Sequence, residues 1–188
     1  MAGRCLFKTT LTIRDSTDVN LGLRSNGTSK ATIDLENPSS ERTNFHLTEL
    51  GFDLTVTNSE IFFINFYPKG TDQIVINGTT GRTRLLEVVL SDQSHLTLNN
   101  VFLMAQLAHA NDQSQLVIRK STVGSDDPDD PINSELAARD SATVRLEETT
   151  ANTTDLLVTD TGSMSLVNSQ HAANRVSQEA EGKFSSTP

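Results

Sequence analysis

A chain of 188 residues with 35% hydrophobic and 21% charged residues is sized and composed for one soluble folded unit rather than for two domains or a disordered segment. Its formal net charge of −9, with fifteen scattered Lys and Arg and no basic stripe, argues against nucleic acid as a partner. Cys5 stands alone, which excludes an internal disulfide and a cysteine-built zinc site.

The opening MAGRCLFKTTLTIRDS has no apolar core of the secretory type, and no run approaches the roughly eighteen apolar residues that would span a membrane. The expectation is no membrane insertion. A cytoplasmic location follows if the chain is complete as given, and an extracellular or cell-surface one if it is part of an exported protein.

From Leu11 onward one short pattern recurs: an apolar residue, a polar or small one, then another apolar residue. Leu11/Ile13, Ile33/Leu35, Leu54/Val56, Ile74/Ile76, Leu96/Leu98, Leu116/Ile118, Val144/Leu146 and Met164/Leu166 carry it, at steps of 22, 21, 20, 22, 20, 28 and 20 residues. Such alternation belongs to a half-buried strand, and a period near 20 residues belongs to a solenoid whose coils stack in parallel. A leucine-rich repeat would need LxxLxLxxN and a helix per repeat, and neither is present. The expected fold is therefore all-β, a right-handed parallel β-helix with about 20–22 residues per coil, the hand following from the general preference of parallel crossovers. Eight coils at about 4.8 Å each would give a rod core about 40 Å long.

Other positions keep the same period. Four residues before the pair stand Asp92, Asp112, Asp140 and Asp160, and just after it come Asp15-Ser16, Asn58-Ser59, Lys120-Ser121, Glu148-Thr149 and Asn168-Ser169. Corners of a coil leave backbone groups that short polar side chains satisfy. The one long step coincides with GSDDPDDPIN, residues 124–133, whose prolines and aspartates cannot continue a parallel strand, so it reads as an acidic loop inserted at one corner. On this reading residues 1–171 form one β-helix domain with less regular coils over 1–50, and residues 172–188 form a polar C-terminal cap or tail.

The segments SHLTLNNV (94–101), SQLVIRKS (114–121), SATVRLEE (141–148) and GSMSLVNS (162–169) resemble coils of pectin-lyase-like right-handed β-helices, and among those the passenger segments of bacterial autotransporter adhesins. The resemblance covers residues 50–170. It implies a coil of three strands with a polar turn, and a role in extracellular display, adhesion or as a carrier shaft.

Candidate chemistry is sparse. The aspartate column could supply a row of calcium-binding carboxylates of the lyase kind, but a place just before a strand is where Asp satisfies turn amides. Asp126, Asp127, Asp129 and Asp130 form a possible cation-binding loop, without the DxDxDG spacing of a formed calcium site. His46, His95, His109 and His171 show no HxH or HExxH spacing, no GxSxG frames a serine, and the absence of Trp speaks against stacking on sugars. IFFINFYP, residues 61–68, is the densest apolar stretch. Phe62, Phe63, Phe66 and Tyr67 crowd both faces of a strand there, which makes them the candidate contact patch for a protein partner or a second copy. The expected function is a non-enzymatic display or interaction module, like a piece of an adhesin passenger or phage fibre, with no cofactor. A polysaccharide-active enzyme and a cytoplasmic self-assembling β-helical filament are the alternatives.

Overall fold

The computed structural model describes residues 8–14, 20–23, 29–36, 44–47, 52–59, 62–66, 70–78, 84–124, 134–152, 155–172 and 175–188, with side chains from residue 70 onward apart from positions 78, 84, 86, 105 and 106. Among the described residues there are twenty strands and no helix. In chain order they are β1 (Lys8–Arg14), β2 (Asn20–Leu23), β3 (Ser29–Glu36), β4 (Asn44–Leu47), β5 (Phe52–Ser59), β6 (Phe62–Phe66), β7 (Gln73–Gly78), β8 (Arg84–Leu90), β9 (His95–Asn99) and β10 (Phe102–Ala110). The second half holds β11 (Gln115–Arg119), β12 (Thr122–Gly124), β13 (Glu135–Ala138), β14 (Thr143–Glu147), β15 (Thr150–Asn152), β16 (Asp155–Val158), β17 (Ser163–Val167), β18 (Gln170–His171), β19 (Arg175–Gln178) and β20 (Lys183–Thr187).

Every pairing is parallel, and the chain alternates between two walls, which makes the fold a parallel β-solenoid. The first wall is a nine-stranded sheet in the order β1-β3-β5-β7-β9-β11-β14-β17-β20. The second runs β18-β15-β12-β10-β13-β16-β19, with β8 and β6 stacked beyond β10, and β2 pairs β4 separately. The expected all-β solenoid is thus observed.

The repeated apolar pair is the inward face of the first wall. Leu96 sits in register with Ile74 on one side and Leu116 on the other, and Val144 and Met164 follow; Ile76, Leu98, Ile118, Leu146 and Leu166 form the adjoining row. All ten are buried. Facing them, Leu103, Val123 and Ala151 make one row of the second wall, Ala108, Leu136 and Leu156 another, and Ala110, Ala138 and Val158 a third. Burying each large aliphatic side chain in these rows contributes about 1.5–3 kcal/mol, so the rows hold the coils together.

At one coil boundary the register differs from the simple stacking of pairs. Ile33/Leu35 lies beside Leu11/Ile13, but Leu54/Val56 pairs with Ala31/Ile33, two residues back. A shift of two keeps the same side of the strand toward the core, so an alternation pattern cannot detect it.

The second wall changes along the rod. β8 and β10 cross it as single long strands, whereas from residue 111 on each coil crosses it as two short ones, β12/β13, β15/β16 and β18/β19. β10 serves both kinds: Phe102 and Leu103 pair with β12 and Ala108–Ala110 with β13. Between these pairs β10 is irregular against β8, with a register shift between Leu103 and Leu107. The 28-residue step falls at this junction, between Gly124 and Ser134; residues 125–133 lie outside the described residues, and β13 resumes the stack in register.

Residues 175–187 continue the stack, β19 pairing β16 and β20 pairing β17. The inward rows change character there: His171 follows Ala151, Gln178 follows Val158 and Ser186 follows Leu166. Val176 is 43% exposed, and Phe184 packs partly against the core while meeting the His171 ring edge-on at 6.2 Å.

Candidate functional site

Among the described residues from 70 onward, the coils turn two kinds of corner, and both kinds place a residue in the left-handed region. At the first corner these are Gly70, Asp92, Asp112, Asp140, Asp160 and Ala180; at the second, Asn100, Lys120, Glu148 and Asn168, all with φ between 48° and 64°. Left-handed backbone is unfavourable for residues with a Cβ, and Asn and Asp tolerate it best.

The aspartate column sits on the first corner, and its carboxylates are engaged. Asp92 Oδ2 accepts the Gly70 amide at 2.9 Å, Asp112 Oδ2 the Asp92 amide at 3.0 Å, and Asp140 Oδ2 the Asp112 amide at 3.2 Å. Each of these three aspartates therefore caps the turn of the coil before it, while Asp160 Oδ2 accepts the Thr159 hydroxyl at 2.9 Å. The turns close through i to i+3 bonds, with Ser94 and Ser114 buried and donating their hydroxyls to the carbonyls of Ser91 and Asn111. In the next two coils Ala142 and Gly162 take that place. A Cβ on Gly162 would lie 2.7 Å from the Ala138 carbonyl oxygen, which accounts for the glycine.

Beside this corner lies an open depression of about 460 Å³ lined by Gly70, Thr71, Asp92, Gln93 and Gln113. The Gln93 side chain donates to Gln113 Oε1 at 3.2 Å across it. Among the described residues, no three His, Cys, Asp or Glu side chains converge as metal ligands.

The second corner is satisfied differently. Its left-handed residues donate their own amides to backbone carbonyls of the following coil, as Lys120 does to Glu147 at 3.0 Å and Glu148 to Val167 at 3.0 Å. The residue after each turns toward the interior. Ser121 Oγ accepts the Val101 amide at 3.1 Å and donates to the Arg119 carbonyl at 2.6 Å; Ser169 Oγ accepts the Thr149 amide at 3.0 Å and donates to the Val167 carbonyl at 2.9 Å.

Among the described residues two ionisable clusters stand out, one exposed and one half-buried. On the first wall Glu147 is held between Arg119, 2.6 Å from Oε2, and Arg145 on Oε1. The hydrogen bond from Arg119 does most to keep its carboxyl below the ordinary carboxylate range; burial opposes it, and the hydrogen bond from Arg145 and the two arginine charges add to the lowering.

The second cluster stands on the second wall. His109 of β10 is 8% exposed although its neighbours Ala108 and Ala110 are the ones in register with inward rows. Its Nε2 lies 2.6 Å from Glu135 Oε1, and the Arg139 guanidinium approaches that same oxygen at 2.7 Å. The His109 contact is close but out of line with the ring N–H, so Nε2 has no well-directed acceptor. Burial, followed by the Arg139 charge, pushes the imidazole below its usual range, and the carboxylates of Glu135 and Glu87 only partly oppose this.

The sequence offered His109 only as one of four histidines without a site spacing, and neither of its partners. Glu135 and Arg139 come from the next coil, across the 28-residue step, and folding the chain at its own period with the insertion removed would have put them beside it. His95 meets Gln73, whose Nε2 lies 2.9 Å from its Nδ1, and His171 meets Phe184; neither joins the His109 cluster.

Of the aromatic candidates, Phe62, Phe63 and Phe66 lie on β6, opposite Arg84, Leu85 and Val88 of β8. Phe63 and Phe66 thus share register positions with two buried residues of the second wall. Tyr67 lies outside the described residues, as do Asp126, Asp127, Asp129 and Asp130.

Comparison with known proteins finds no matching family model, no matching curated protein and no matching solved structure.

Proposed function

We propose that the chain is a non-enzymatic shaft or display module, of the kind found in adhesin passengers and fibres, and that its business is to hold an extended surface rigid. The observation that supports this most is the aspartate column. A row of four carboxylates on one corner is the feature a calcium-assisted lyase would need, yet three of them each accept a backbone amide of the preceding coil. Those oxygens are committed to joining coils, which is work for a rod.

The test combines solution mass by light scattering, far-UV circular dichroism and an assay for depolymerisation of acidic polysaccharides with and without calcium. A monodisperse β-rich rod without turnover is expected. Calcium-dependent depolymerisation that disappears in Asp112→Asn would overturn the reading in favour of a polysaccharide-active enzyme.

A further inference from the structure

We propose that His109, Glu135 and Arg139 form an acid-sensitive latch that holds β13, the strand entered after residues 125–133, against the preceding coil. The inference concerns local opening and stands whether the rod is a shaft or an assembly.

β13 has a slender hold on β10. Only Leu136, Ala137 and Ala138 pair with it, on Ala108, His109 and Ala110, with the Arg139 amide adding a bond to the Ala110 carbonyl at 2.9 Å. The side chains of Ala137 and Ala138 bring little apolar area to the contact. The Glu135 carboxylate therefore matters: one oxygen, Oε1, meets both His109 of the earlier coil and Arg139 of its own.

The charged groups facing His109 among the described residues are Glu135 and Arg139, at either end of β13, and Glu87 on β8. Asp155 of β16, in register with Glu135, lies 3.7 Å from Arg175. Protonating His109 would place a second cation on an oxygen that Arg139 already occupies, at a ring too buried to be well hydrated. Because the folded imidazole titrates below its ordinary value of 6.5, the stability it lends is complete above that pH. It is lost as pH falls below 6.5 and through the folded value, since the open form takes up the proton more readily.

The experiment is native-state hydrogen exchange of the β13 amides from pH 7.5 to 5, corrected for intrinsic rates, with the His109 ring followed by NMR in the same samples. The β14 amides, in the same coil but on the other wall, are the internal reference. Protection of β13 is expected to fall below pH 6.5, by at most about tenfold per pH unit because one proton is involved, while β14 holds. His109→Gln should flatten the β13 profile, and Glu135→Gln should move the His109 midpoint lower. The proposal is overturned if β13 protection is flat with pH, if β13 and β14 lose protection together, or if His109→Gln keeps the dependence. Should that variant not fold, the wild-type data still decide: a His109 midpoint at or above 6.5, or β13 protection that keeps falling below that midpoint instead of levelling off, sinks it.

Discussion

The two corners of a coil adopt the same left-handed backbone and solve it with opposite chemistry. At the first, the amide of the left-handed residue is received by a side chain, as Asp92 N–H is by the carboxylate of Asp112. At the second it is received by a backbone carbonyl, as Lys120 N–H is by Glu147, so the side chain of the turning residue has no bond to make. The identity of the residue is therefore constrained at the first corner where it caps the coil before, at Asp92, Asp112 and Asp140, and free at the second, where Asn100, Lys120, Glu148 and Asn168 share one backbone shape. At the second corner the constraint moves one residue on, to the hydroxyl that turns inward.

The largest effect is expected where that hydroxyl is removed. Ser121→Ala takes away the acceptor of the Val101 amide in a buried setting and should cost about 1–3 kcal/mol. Ser121→Thr keeps the oxygen and should recover most of it. Chemical denaturation reads both; equal stability of Ser121→Ala and the parent would mean that water replaces the hydroxyl and that the corner is less dry than its burial implies.

At the first corner Asp112→Ala loses an exposed cap and puts alanine at φ 57°, together about 1–2 kcal/mol. Asp112→Asn keeps an oxygen for the Asp92 amide, suits the left-handed backbone and removes one of several like charges stacked along the corner. It should be neutral or slightly stabilising, with the gain fading as salt is raised. A loss as large as that of alanine would show that the charge itself is needed, and would reopen the cation-binding reading of the column.

Lys120→Gly tests the freedom of the second corner. With no side-chain bond to lose and a strained φ of 49° relieved, it should be neutral to stabilising by about 1 kcal/mol, less what glycine gives back in unfolded-chain entropy. A clear loss would mean that its contact with Glu148, 4.0 Å away, contributes more than an exposed pair usually does.

The same contrast explains what could be read from the sequence. The first corner announced itself because Asp recurs at 92, 112, 140 and 160, and its place before a strand gave the correct physical role. The inward rows of the first wall were legible because Leu96/Leu98 and their counterparts are large and evenly spaced. The second wall was not, since its inward rows fall to alanine at Ala108, Ala110 and Ala138, which carry little hydrophobic signal. Lys120 and Glu148 were legible as corner positions from their place before Ser121 and Thr149, but their residue types did not announce a left-handed backbone, because a backbone carbonyl rather than a side chain receives their amides. The partners of His109 were hidden by the extra residues of the 28-residue step, which break the spacing that would have aligned them.

The smallest expected effect is on the flat outer face of the first wall. Glu147 bridges Arg119 and Arg145, and its lowered carboxyl value gives a contribution that is present above the ordinary carboxylate range and lost as pH falls through the folded value. Both arginines are about half exposed, at 47% and 49%, so solvent and salt screen most of this attraction. Glu147→Gln should cost less than about 1 kcal/mol and lose what effect it has in high salt. A larger, salt-resistant loss would show that this face is covered in solution, because only desolvation would give a surface carboxylate such weight. It would then be the outer face of the first wall, rather than either corner, that meets a partner.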